Sequence, residues 1–179
     1  MIFKRGKKKI RLREAKMKKL TLFALSVTLL LGGCTVDKTG NFELYMTDQP
    51  IDGLEEVLIT ITAIRVQKDD GSIMTVWEGE RTLDLLLLRD IEERILDVEL
   101  EQGIYTHVII VISGAAVVVN GRTFEITIPL SLEVKIPVAF TVLNNRVTEV
   151  VLDFQADQSI EGYDDYYLLL PVITVKRLS

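Results

Sequence analysis

The feature that most constrains the fold is a series of short alternating segments separated by turn dipeptides. The clearest turn is Asn120-Gly121, which lies between Ala115–Val119 and Arg122–Ile128. Asn-Gly between two such segments is the strongest short-range signal for a β-hairpin, because both central residues of a type I′ turn need positive φ. In the second arm, apolar and polar residues alternate strictly, as in a strand that buries one face. This region is therefore predicted to be β-structure.

Similar segments recur from Phe42 to the end of the chain. The stretch Asp69-Asp70-Gly71-Ser72 predicts another hairpin turn, and Asn144-Asn145 predicts a third turn. Tyr105–Ile112 is apolar on both faces apart from two residues at its start, which is typical of a central strand covered on both sides. About ten strands in one domain predict an all-β fold, namely an antiparallel two-sheet sandwich of the prealbumin or immunoglobulin type.

One segment departs from the alternation. Leu88, Ile91, Ile95 and Val98 recur at spacings of three and four, with charged residues between them. Such spacing places the four side chains on one face of a helix. We therefore expect one short amphipathic helix over residues 88–98, lying across one end of the sandwich.

The N-terminal region has the pattern of an export signal. Two lysines precede Leu20–Leu31, in which every residue is apolar, Ser or Thr. This segment is shorter than the roughly 20 residues of a transmembrane helix and is typical of the apolar part of a signal peptide. It ends in Leu31-Gly32-Gly33-Cys34, which resembles the lipobox of bacterial lipoproteins. We expect cleavage after Gly33 and lipidation of Cys34; an ordinary secretory signal is the alternative.

These patterns divide the chain into three regions. Residues 1–33 are a basic extension and a signal peptide, whose translation starts at Met1 or, as we favour, at Met17. Residues 34–40 are the lipidated cysteine with a short linker. Residues 41–179 form a single β-sandwich domain, since a chain of this length favours one domain.

Cleavage would make the net charge of −5 more strongly negative. Residues 1–33 contain ten of the 21 basic residues and one of the 26 acidic residues, so residues 34–179 carry a net charge of −14. A surface of this charge repels nucleic acid, and no nucleic-acid partner is expected. Solubility alone is the simpler explanation of the acidic surface.

Several short motifs follow one another in a distinctive order. They are Tyr45-Met46-Thr47-Asp48-Gln49-Pro50, Val57–Val66, Asp69-Asp70-Gly71, Thr82-Leu83-Asp84-Leu85, Gln102-Gly103-Ile104-Tyr105-Thr106, Val117-Val118-Val119-Asn120-Gly121, Ile136-Pro137, Val151-Leu152-Asp153-Phe154 and Leu170-Pro171-Val172-Ile173. This order resembles the DUF4382 family of bacterial and archaeal envelope lipoproteins. The family carries no established activity, so the resemblance implies a fold and a location but no mechanism. The Gly-x-Tyr-Thr step also resembles prealbumin-like modules, which often act as binding or spacer domains.

The sequence offers little for catalysis. His107 is the single histidine, and no serine or cysteine near it in the sequence is placed to form a nucleophilic pair. We interpret it as a partly covered strand residue; a general base is the alternative. Because lipid would consume the single cysteine, zinc sites of the Cys/His type lack ligands. We expect a protein that is not an enzyme and needs no cofactor.

Three aspartates occupy unusual positions. Asp48 precedes a turn at Pro50, where Asp side chains cap backbone N–H groups, whereas Asp84 and Asp153 lie in predicted strands, where carboxylates are unusual. We interpret Asp48 as such a cap, and Asp84 and Asp153 as residues that are exposed on an outer face or that hold loops through hydrogen bonds. Calcium binding and paired-carboxylate hydrolysis are the alternatives.

Two acidic turns are weak calcium candidates. One is Asp69 with Asp70, and the other is Asp164 with Asp165, since carboxylate oxygens are the ligands that calcium prefers.

A tyrosine cluster surrounds the second of these turns. Tyr163, Tyr166 and Tyr167 could stack on sugar rings beside the carboxylates, which makes them weak candidates for a binding site. The simpler interpretation is that tyrosine is common in strands.

Together these patterns predict a non-catalytic binding or adhesion module of the cell envelope. The lipid would anchor it to the outer side of the cytoplasmic membrane or to the outer membrane, and its partner would be an envelope glycan or protein. A structural spacer or assembly partner without a small ligand is the alternative, and a carboxylate-based hydrolase is a third.

The lipid anchor is directly testable. Cells fed labelled palmitate should incorporate it into the wild type but not into Cys34→Ser, and the variant should leave the membrane fraction or remain unprocessed. Two or more acyl chains hold a protein firmly, whereas one binds only marginally. Absence of label from the wild type would contradict the prediction.

Overall fold

The computed structural model describes residues 38–48, 53–128, 132–163 and 166–179. Its strands form two packed sheets, and the core lies between them. In the first strand, β1 (Thr39–Thr47), Phe42, Leu44 and Met46 are buried while the residues between them are partly exposed. The predicted all-β sandwich is confirmed.

The first sheet has four strands. Besides β1 it contains β4 (Glu93–Glu101), β8 (Val147–Phe154) and β11 (Ile173–Leu178), in the order β11-β8-β1-β4. Its pairs are antiparallel except for β1 with β8, which are parallel. Parallel neighbours need a long crossover connection, and here the connection contains β4 and all the strands of the second sheet.

The second sheet has five strands, with β5 (Gly103–Val119) in the middle. On one side β5 pairs with β2 (Glu56–Lys68), which pairs in turn with the edge strand β3 (Ile73–Asp84). On the other side its first half pairs with β7 (Leu132–Val142) and its second half with β6 (Arg122–Ile126). The prediction that Tyr105–Ile112 belongs to a central strand is confirmed.

A small hairpin and two single turns of helix complete the fold. The hairpin joins β9 (Ile160–Gly162) to β10 (Tyr167–Leu169) as a separate two-stranded sheet. A 3-10 helix (Leu85–Leu88) follows β3, and a short α-helix, α1 (Ala156–Ser159), follows β8.

Three aromatic rings stack across the space between the sheets. The ring of Phe140 in β7 lies 5.0 Å from that of Tyr105 in β5 and 4.8 Å from that of Phe42 in β1, with nearly parallel planes. The Tyr105 hydroxyl donates to the carbonyl oxygen of Glu101 at 2.9 Å, and burial raises the pKa of Tyr105. Because Phe42 belongs to the first sheet and the other two rings to the second, this stack joins the two layers.

The predicted helix over residues 88–98 is wrong. The segment from Glu93 onward is strand β4, which pairs with β1. In β4, acidic residues alternate with Leu96, Val98 and Leu100, which is the period of two of a strand. Ile95 interrupts this alternation in the sequence, because it is apolar and buried as well. Without β4, the backbone donors and acceptors along one side of β1 would have no sheet partner.

The two predicted hairpin turns are confirmed by their backbone angles. Asn120 and Gly121 have φ of 48° and 68°, the pair of positive values that a type I′ turn needs. In the other turn Gly71 has a φ of 87°, and its N–H donates to the Lys68 carbonyl oxygen at 3.0 Å.

The turn at Asn144-Asn145 is also present, and it packs tightly on Gly40 of β1. A Cβ on Gly40 would lie 2.3 Å from the carbonyl oxygen of Leu143 and 2.9 Å from that of Arg146. The Asn145 N–H donates to the Thr39 carbonyl oxygen at 2.9 Å. Since this turn carries the chain from one sheet to the other, Gly40 is required where the layers meet.

We expect Gly40→Ala to lower the free energy of unfolding by about 1–3 kcal/mol or more, because backbone atoms must move to admit the methyl group. The measurement is chemical denaturation of the full chain. Gly103→Ala is the matched control, since a Cβ there meets nothing closer than 4.0 Å. Equal stability of the two variants would contradict the close packing.

Candidate functional site

Two exposed tyrosines stack on each other at the tip of the β9–β10 hairpin. The ring centroids of Tyr163 and Tyr166 are 4.7 Å apart and their planes differ by 9°. Tyr163 is 47% exposed and Tyr166 is 52% exposed. Each ring therefore has one face covered by the other ring and one face open to a ligand.

Local hydrogen bonds hold this pair in place. The Tyr163 N–H donates to the carbonyl oxygen of Tyr166 at 2.8 Å. The Tyr163 hydroxyl donates to a carboxylate oxygen of Glu161 at 3.0 Å, and this bond raises the pKa of Tyr163. A carboxylate therefore lies beside the stacked rings, an arrangement suited to a ligand that has both apolar faces and hydroxyl groups.

The third predicted tyrosine has a different position. Tyr167 is half-buried and packs edge-on against Phe124 of β6, with ring centroids 5.5 Å apart. It fixes the hairpin to the second sheet. The structure therefore brings together two of the three tyrosines, while the acidic residues Asp164 and Asp165 lie outside the described residues.

The base of the hairpin is fastened through α1. The Ser159 hydroxyl oxygen accepts from the Val172 N–H at 2.8 Å, and the Ser159 carbonyl oxygen accepts from the Leu170 N–H at 2.8 Å. Asp48, at the end of β1, accepts from the Ala156 N–H at 2.9 Å in a buried setting. These bonds connect the tyrosine hairpin to the end of β1 and to the segment before β11, two strands of the first sheet.

The three unusual aspartates lie toward this same end of the sandwich, each near the end of a strand. Asp84 accepts from the backbone N–H groups of Leu86 at 3.1 Å and of Val57 at 3.2 Å, so it caps the 3-10 helix. Asp153 is buried and lies opposite Thr47 in the parallel ladder of β1 and β8. The hydrogen bonds of Asp48 and Asp84 agree with their interpretation as structural acceptors.

The first acidic turn uses one carboxylate internally. An Asp70 carboxylate oxygen accepts from the Ser72 hydroxyl at 2.6 Å and from the Ser72 N–H at 2.8 Å, and these bonds hold the pKa of Asp70 below its usual range. Within the described ranges, no three Asp, Glu, His or Cys side chains are grouped as a metal site. Calcium binding at Asp69–Asp70 or at Asp164–Asp165 stays a prediction.

His107 lies half-buried in β5. Its Nδ1 atom is 2.9 Å from the hydroxyl oxygen of Thr106. Across the sheet it is opposite Gln67 of β2 and Pro137 of β7. This is the partly covered strand position that the sequence favoured.

The predicted lipidation and cleavage residues, Cys34 and Gly33, lie outside the described residues. In the part of the chain that is described, no helix is long and apolar enough to cross a membrane.

Sequence reasoning missed the apolar side chains next to the tyrosine pair. Leu168 and Leu170 are 36% and 54% exposed, whereas Leu169 between them is buried. Because three leucines follow one another here, either face of the segment could be the buried one. The sequence therefore held no signal for the exposed pair.

Comparison with known proteins gives one match. The family model described as "Domain of unknown function (DUF4382)" matches residues 39–171. No curated protein and no solved structure is significantly similar to the chain.

We expect Asp48→Ala to lower the free energy of unfolding by about 1–3 kcal/mol, because the buried Ala156 N–H would lose its acceptor. Thermal unfolding of the full chain measures this. Asp48→Asn keeps an acceptor oxygen and should retain more stability, and the exposed Asp69→Ala should change stability by no more than about 0.5 kcal/mol. An Asp48→Ala variant as stable as Asp69→Ala would show that this bond is dispensable.

Proposed function

We propose that this chain, which belongs to the DUF4382 family, is a lipid-anchored, non-catalytic module of the cell envelope that binds carbohydrate through Tyr163 and Tyr166. The observation that carries the proposal is the exposed stacked pair beside the Glu161 carboxylate. Sugar rings present C–H faces that pack on aromatic rings and hydroxyls that donate to carboxylates, and aromatic residues dominate the energetics of many interfaces.

The position of the pair relative to the start of the domain supports this role. The Gln102 N–H donates to the carbonyl oxygen of Lys38 at 2.7 Å, so β5 begins where the chain enters the domain. Near its other end, Val117 of β5 lies opposite Phe124, which contacts Tyr167 in the tyrosine hairpin. At roughly 3.3 Å per residue, the start of β5 and Val117 are about 45 Å apart along the strand. An anchor at Cys34 would therefore leave the tyrosines on the far side from the membrane.

The carboxylates support a binding role over hydrolysis. Paired-acid hydrolysis needs two carboxyl groups that face one substrate. Asp84 is committed to two backbone N–H groups, and Asp48 accepts a buried backbone N–H. Asp48 holds the start of α1, which leads into the hairpin, and this suits a site that must present two rings in a fixed arrangement.

The test is cosedimentation of the full-length protein with purified cell-wall polysaccharide and with a panel of soluble polysaccharides. We expect Tyr163→Ala combined with Tyr166→Ala to weaken binding about tenfold or more, as loss of a hot-spot contact does. Tyr163→Phe with Tyr166→Phe keeps both rings and should retain most of the affinity.

Ile91→Ala is the matched control, because Ile91 is equally exposed at 52% but belongs to the loop before β4. Wild-type protein that binds no polysaccharide would overturn the proposal. Wild-type affinity in the double alanine variant would place the site elsewhere and would overturn the role of Tyr163 and Tyr166.

A further inference from the structure

Four large apolar side chains are exposed around the end of the domain where the chain enters. They are Ile73, Ile104, Leu143 and Val147, and each is between 50% and 55% exposed. We call this set the entry-end rim. Ile73 begins β3, Ile104 lies near the start of β5, and Leu143 and Val147 flank the turn between β7 and β8.

Backbone hydrogen bonds show that these segments meet at one end of the sandwich. The Asp69 N–H donates to the carbonyl oxygen of Ile104 at 3.1 Å, which places the β2–β3 turn beside β5. The Arg146 N–H donates to the carbonyl oxygen of Leu143 at 3.1 Å, and the Asn145 N–H donates to that of Thr39. The rim therefore includes residues from both sheets around the start of β1.

Exposed apolar residues are unexpected at this end. Loops and turns that face water are normally polar, and grouped apolar side chains on a surface mark a contact with a protein or a membrane. Leu143 is the clearest case, because the neighbouring positions of its turn are Asn144, Asn145 and Arg146. A polar residue at Leu143 would satisfy the same turn.

The length of chain between the anchor and the domain favours the membrane as the occupant. This step rests on the proposed lipid anchor. Only four residue steps separate Cys34 from Lys38, and each step spans at most about 3.6 Å. A lipid on Cys34 therefore keeps Lys38 within about 15 Å of the bilayer surface, so the entry end of the domain lies next to the membrane.

We propose that the entry-end rim inserts into the interfacial layer of the bilayer and holds the domain upright on its anchor. Charges at this end are mixed: Lys38 and Arg146 are basic, whereas Asp69 and Asp70 are acidic, and all four are exposed. The net charge of −14 for residues 34–179 opposes attraction to anionic lipid. The contact is therefore apolar and should be insensitive to salt.

The test uses the lipidated full-length protein in vesicles of phosphatidylethanolamine and phosphatidylglycerol. The chain has one cysteine, and lipidation consumes its thiol, so Leu143→Cys carries the only free thiol and takes a single fluorophore. We expect bromine on the lipid acyl chains to quench this fluorophore about twofold, at low and at high salt, because an interfacial side chain lies near the acyl boundary.

Leu87→Cys is the matched control. Leu87 is 71% exposed, and it lies in the 3-10 helix next to Asp84, which bonds the start of β2 at the opposite end. Its fluorophore should not be quenched. Ile104→Cys and Val147→Cys repeat the measurement on the two sheets and should both be quenched.

Two results would overturn the proposal. One is an unquenched fluorophore at residues 104, 143 and 147. The other is protection of these positions from aqueous iodide without quenching by brominated lipid, which would indicate a second copy of the chain as the occupant. Labelling of the wild type itself would reveal a free Cys34 thiol, which is failure of the anchor and is thereby distinguished from failure of the rim.

Discussion

The packing of two sheets around one aromatic stack is the interaction on which the rest of the structure depends. Phe42 enters the stack from the first sheet, and Tyr105 and Phe140 enter it from the second. Rings of this size bury more apolar surface than any aliphatic side chain and contribute most of the hydrophobic stabilisation per residue. Because Tyr105 also bonds the carbonyl oxygen of Glu101, the stack fixes the corner where β4 turns into β5. A second contact between the sheets lies at their edge, where Arg81 of β3 donates to the Ile95 carbonyl oxygen of β4 at 2.7 Å.

The long central strand gives the domain two distinct ends. Strand β5 has 17 residues, starts beside the chain entry and finishes at the Asn120-Gly121 turn. Its outer face is apolar at Ile109 and Val111. Arg65 of β2 and Glu133 of β7 lie opposite these two residues and form an ion pair of 2.6 Å that spans β5. The entry-end rim lies near the start of β5, and the tyrosine hairpin lies near its other end. The proposed function requires a module that is held at the membrane by one end and exposes the two tyrosines at the other.

Local signals were reliable where a residue's own backbone decides the outcome. The Asn120-Gly121 and Gly71 turns need positive φ, which few other residues adopt, so their positions could be read from the chain. Pro137 cannot donate to a ladder and lies in β7, which within the described ranges pairs with β5 on one side. The helix over residues 88–98 failed because apolar residues at spacings of three and four also fit a strand with one irregular position. That ambiguity is resolved only by β1, which lies more than 40 residues away and shifts register between Leu44 and Tyr45 to accommodate β4.

The sequence by itself determined the all-β class, the central strand and the turns, because alternation and φ preferences act within a few residues. Only the tertiary structure decided the parallel pairing of β1 with β8, the bond from Asp48 to Ala156, and the placement of the tyrosines. Tyr163, Tyr166 and Tyr167 are equivalent as residue types, and the hairpin register alone stacks the first two at the surface and turns the third onto Phe124. The physical reason is that long-range pairing sets which face of a strand is covered, and a shift of one residue exchanges the two faces.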